Sequence, residues 1–187
     1  MASVLDLLHR DHLGMAALLD ILAAELERMR RPDEDADYHL MREVADYFIH
    51  FPDALHHPCE DRVYELLAAR ANELAPELTT LRSEHEKIGM LGHRLHDLLK
   101  AATAGQMVSR DAIVAACEEF LDVQRRHLDV EEAHLFPLAG RTLGEDELLQ
   151  AAAACGRDVD DPDRLAPDAR YDRLRAALTA RAATAAG

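Results

Sequence analysis

Residues 3–31 read SVLDLLHRDHLGMAALLDILAAELERMRR. Leu5, Leu8, His12, Met15, Leu19, Leu22, Leu26 and Met29 recur along this stretch in an unbroken alternation of three and four residues. That stepping keeps one stripe of an α-helix turned to a core. Ser3 supplies an N-cap and Pro32 ends the run. One member of the stripe, His12, is not apolar.

Working outward, Gly and Pro divide the rest of the chain into further helical stretches. A second is predicted from about Asp37 to Ala71, interrupted at Pro52 and again at Pro58. A third starts near Pro76 and ends near Gly105, and a fourth, capped by Ser109, reaches Phe136 and Pro137. Four long helices on short loops predict an all-α, up-down-up-down four-helix bundle over residues 1–140. Residues 141–187 form a separate helical extension: a short helix from about Glu145 to Cys155, a linker from Arg157 to Pro167, and an Ala/Arg-rich helix from Asp168 carrying Tyr171, Leu174 and Leu178. That last helix could lie across the bundle, stay loose or dock on a second copy to make a homo-oligomer.

Composition agrees and narrows the function. With 49% hydrophobic and 30% charged residues but only 4% aromatic, no Trp and little Gly or Pro, the chain is helical rather than β-rich. A net charge of -15 leaves no basic face for nucleic acid. No apolar run is long enough for a membrane span, and no signal-peptide pattern opens the chain. Cys59, Cys117 and Cys155 are odd in number and far apart, which predicts free thiols and a cytoplasmic home; Cys59 reads as a surface thiol.

The remaining anomaly is eleven histidines. In the third helix the core stepping runs Leu74, Leu78, Leu81, His85, Ile88, Gly92, Leu95, Leu99; in the fourth, Ile113, Ala116, Phe120, Val123, His127, Glu131 and His134 share a face; in the second, His56, Glu60, Val63 and Leu67 do. Each helix therefore sends an imidazole inward, twice with a carboxylate one turn later. A single core histidine is ordinarily satisfied by a hydrogen bond, and a metal-free bundle of such histidines is one reading. Burying Glu60 and Glu131 beside four imidazoles without a cation would cost several kcal/mol per acid, however. Coordination removes that cost. His12, His56, Glu60, His85, His127 and Glu131 are too many donors for one tetrahedral zinc, and the mixed set suits two iron ions. A carboxylate site built on two Glu-x-x-His motifs is a rival, because Glu131-x-x-His134 is present, though its only counterpart is Asp53-x-x-His56. His9, His39, His93 and His96 read as solvated, and His50 and His134 as intermediate. His57 turns away on a regular helix, but a distortion at Pro58 would bring it in as a further ligand or a support behind one.

Four elements in order, Leu8-His9-Arg10-Asp11-His12, His56-His57-Pro58-Cys59-Glu60-Asp61, Glu84-His85, and His127-Leu128-Asp129-Val130-Glu131-Glu132 followed by Leu135-Phe136-Pro137, resemble the hemerythrin-like (HHE cation-binding) family from about Val4 to Gly140. The resemblance implies a four-helix bundle around an oxo- or hydroxo-bridged non-haem di-iron centre. By position it implies the same six ligands that the seams nominate. It further implies binding of, or reaction with, O2, peroxide or NO, with peroxidase- or catalase-like turnover or a sensing role. Oxygen-carrying members place a second histidine four residues after the first on the third helix. Gly89 stands there in this chain, so the resemblance points to a four-histidine branch with more room at the metal and less suited to oxygen transport.

Overall fold

The computed structural model describes residues 3–31, 33–71, 75–156, 174 and 177–180, with backbone alone for 75–77. The described residues are helical apart from turns and short connections, with no strand among them. The order is α1 (Val4–Arg30), α2 (Tyr38–Phe51), a π-helical turn (Pro52–His56), α3 (His57–Arg70), α4 (Ala75–Thr103), α5 (Arg110–Val130), a second π-helical turn (Glu131–Leu135), α6 (Phe136–Thr142) and α7 (Glu145–Ala154). Among the described residues no helix is long and apolar enough to cross a membrane.

Local chemistry sets the boundaries. Ser3 and Asp6 form a reciprocal capping box at the start of α1. The Asp37 carboxylate caps α2 by accepting from the Leu40 amide at 3.0 Å. Gly105, at φ 77°, takes the left-handed conformation that closes α4.

The two π turns share one cause. Pro58 and Pro137 have no amide hydrogen, and their rings crowd the carbonyl four residues back. The amide just before each proline donates five residues back instead, His57 to Pro52 and Phe136 to Glu131. The helical run then continues past both prolines, so the stretch that begins at Arg110 goes on to Thr142 instead of ending at Pro137.

Helix α1 packs on α2 and α5, and α4 packs on α2 and α5, which closes a ring of neighbours around one interior. That interior is layered. One apolar layer holds Val4, Leu8, Val63, Tyr64, Leu81, Leu135 and Phe136, and extends to Leu148 and Ala151 of α7. The other holds Met15, Leu19, Leu22, Val44, Phe48, Ile88, Leu95 and Phe120. In α1, His12 falls between the two; in α4, His85 does.

Packing departs from the expected seams at three points. Cys59 is fully buried in the first layer rather than on the surface, because α3 restarts after the π turn with that face inward. On α5 the core position is Gln124, which is buried, while Val123 is only partly so. His134, placed on the inward face by regular stepping, is exposed because it lies within the second π turn, whose wider winding departs from the regular period. In the extension, α7 packs on α3 and α1, and Leu174 is buried in the second layer with its amide donating to Glu43 Oε2 at 3.0 Å. Residues 157–167 and most of the predicted last helix, Tyr171 included, lie outside the described residues.

Candidate metal centre

His12, His56, Glu60, His85, His127 and Glu131 all come together between the two apolar layers, and all six are buried. The imidazoles meet in pairs. Nε2 of His12 is 3.0 Å from Nε2 of His56, and Nε2 of His85 is 3.0 Å from Nε2 of His127. The acids lie between the pairs, each with one oxygen toward either side. Glu60 Oε1 is 2.9 Å from His56 and 3.3 Å from His12, while its Oε2 is 3.5 Å from His85. Glu131 Oε1 is 3.3 Å from His127 and 3.9 Å from His85, while its Oε2 is 3.5 Å from His12. Two groups of donor atoms close enough to share an ion result: His12, His56 and Glu60; and Glu60, His85, His127 and Glu131.

The far nitrogens of three of these rings are held by acids. His56 Nδ1 donates to the buried Asp11 at 2.9 Å, His12 Nδ1 to Glu132 at 2.8 Å, and His127 Nδ1 to Glu84 at 3.2 Å. In neutral rings this leaves Nε2 of both His12 and His56 as bare lone pairs facing each other. A shared proton or a cation must lie between them. Two donors at right angles around one ion, each ~2.1 Å from it, sit roughly 3.0 Å apart, the separation seen in both pairs. Among the described residues, the buried Oε2 atoms of Glu60 and Glu131 have no hydrogen-bond partner. Buried polar atoms of this kind call for an explanation, and a cation supplies one. The donor set therefore fits bound metal.

Electrostatics expresses the same demand in protons. Burial opposes charge on His56, yet the Glu60 and Asp11 carboxylates overcome it and lift the ring to about 10. Burial likewise opposes charge on His12, and Glu132 and Glu60 hold it above its ordinary value. Glu131 is pushed up to about 7 by burial and by the charge of Glu60. Burial alone would raise Glu60 too, but His56 and His12 hold it well below the usual carboxylate range. Without metal the cavity must store protons; a cation makes them unnecessary.

The other histidines separate cleanly. His57 is buried, but it lies outside both donor groups. Its ring is stacked on that of His85, with centroids 3.9 Å apart and planes within 8°, and its Nδ1 donates to Asp53 at 3.0 Å. His9 is exposed and donates to Glu132 at 2.9 Å; His50 donates to the Asp46 carbonyl at 2.7 Å. His39, His93 and His134 are exposed, and His96 is half-buried near Asp46. The position of Gly89 is open, with nothing among the described residues within 4 Å of where a Cβ would lie. His134 stands outside the cluster, so the rival pair of Glu-x-x-His motifs is not assembled.

One contributor has no counterpart in the seams. Tyr64, one turn after Glu60 on α3, is buried and donates its hydroxyl to Glu131 Oε1. Burial and the two nearby acids raise this phenol well above its ordinary value, so it acts as a donor. Its signal was available: Glu60 and Tyr64 are four apart and share a helix face.

Residues 3–139 match the family described as Hemerythrin HHE cation binding domain. No curated protein and no solved structure matches the chain.

Proposed function

Because the chain belongs to the hemerythrin HHE cation-binding domain family, we propose that it is a non-haem di-iron protein that binds or reacts with O2, peroxide or NO. In this reading His12 and His56 would hold one ion and His85 and His127 the other, and Glu60 and Glu131, lying between the two pairs, would serve both. The observation that carries it is the disposition of the acids: each presents one oxygen to either imidazole pair. When bound, an iron pair supplies electrons to a small oxidant. The chain's own residues orient the ligand atoms and exclude water, with apolar layers above and below the centre. The alternating passage of the four main rods between these layers supports an up-down-up-down hemerythrin-like bundle.

Metal analysis of the purified full-length protein is the first test. The expected result is two irons per chain and a near-ultraviolet charge-transfer band after exposure to air. A protein that holds only zinc and takes up no Fe(II) overturns the proposal. Steady-state peroxide consumption marks an enzyme; a single spectral change without turnover marks a sensor.

A further inference from the structure

The groups behind the four candidate histidine ligands follow a rule. On a helix, adjacent residues point roughly 100° apart, so a residue beside an inward ligand faces the neighbouring helix. Asp11, next to His12 on α1, holds His56 at the head of α3. Glu84, next to His85 on α4, holds His127 on α5. Glu132, next to Glu131 after α5, holds His12 on α1. In these three pairs one helical segment braces the histidine of the next, and three sides of the ring are closed by carboxylates. The fourth side runs from α3 to α4, where the residue beside the ligand is His57 and the histidine it meets is His85.

We propose that His57 is the fourth brace, a positioning residue that orients His85 for one ion of the pair by stacking on its ring and is not itself a ligand. The geometry separates these roles. An imidazole lone pair lies in the plane of its ring, and the two rings are parallel within 8°. Their lone pairs therefore run side by side in separate planes and do not converge on a common ion. His57 is itself fixed from outside by Asp53, one turn earlier, at 3.0 Å. The π turn makes this possible: with a wider turn at Pro52–His56, both His56 and His57 face inward.

This inference rests on the paired-ion reading, and Co(II) titration of the full-length protein, followed by its visible absorption, separates the two. Wild type is expected to take two equivalents. In His57→Ala one equivalent should weaken by about 10- to 100-fold, as for other residues that support a metal ligand, while the other keeps its wild-type affinity. His57→Phe retains a flat ring over His85 and should recover most of the lost affinity and the wild-type spectrum. If His57→Phe is as impaired as His57→Ala, His57 is a ligand and the proposal fails. If both variants titrate like wild type, His57 is a bystander and it fails as well. Circular dichroism of each metal-free variant checks that the helices are intact. Fewer than two equivalents in wild type overturns the paired-ion reading itself, and this inference with it.

Discussion

Asp11, Tyr64 and the three cysteines show how far single side chains decide the properties of the centre. Asp11 is fully buried and fixes the His56 ring through Nδ1. Asp11→Asn removes the charge that keeps Nε2 a strong donor, and should weaken metal binding about 10- to 100-fold, measured by competition with a chromophoric chelator. Tyr64→Phe keeps the ring and deletes only the hydroxyl that donates to Glu131. It should leave the metal-free melting temperature within a few degrees, an effect of about 1 kcal/mol, while shifting the absorption of the metal-loaded protein. An unchanged spectrum would reduce Tyr64 to packing. Cys117 is pushed up to about 12 by burial and Cys59 is fully buried, whereas Cys155 is partly accessible. Native protein at pH 8 should thus react with a thiol reagent at one of its three cysteines, and at the other two only after unfolding.

At the scale of elements, two features govern register: the π turns and the close approach of α4 to its neighbours. Pro58→Ala restores an amide hydrogen and removes the clash behind it, which allows the Pro52–His56 turn to relax to a regular helix. The expected outcome is weaker metal binding with undiminished metal-free stability, read from a titration beside a melting curve. Gly92 lets α4 approach α2 and α5: a Cβ there would lie 3.0 Å from Ile49 Cγ2 and 3.5 Å from the Phe120 ring. Gly92→Val should therefore destabilise the fold by about 1–3 kcal/mol through overpacking, measured by urea unfolding. On α5 hydropathy favours Val123 for the seam, but a step of four from Phe120 and of three to His127 gives the buried position to Gln124.

Across the whole molecule, protons and metal compete for one interior. His56 has its folded value raised from 6.5 to about 10, so its stabilising contribution is complete below pH 6.5 and is lost as pH rises through about 10. Glu131 is raised from 4.5 to about 7 and acts in the same direction over that lower window. Metal-free protein should accordingly melt at a lower temperature at pH 9 than at pH 6. Metal reverses the trend, since binding displaces these protons and tightens as pH rises. At a free metal concentration 100 times its dissociation constant, each bound ion stabilises the fold by about 2.7 kcal/mol, and a chelator should remove that increment.

Helical class, the positions of the main breaks and the six inward polar residues are legible in the sequence because they follow from spacing and from the scarcity of helix breakers. An imidazole on an apolar seam must face whatever the seam faces, and no tertiary information is needed to say so. What only the tertiary structure decided is which groups meet across helices. Asp11 serves His56 rather than its neighbour His12, and Glu132 serves His12, because residues adjacent on a helix diverge and their partners lie on other rods. The inward turn of His57, the burial of Cys59 and the exposure of His134 likewise depend on π turns, whose winding is wider than that of a regular helix. A regular helical period cannot anticipate that departure, since it arises from a proline's missing hydrogen and from the packing that accommodates it.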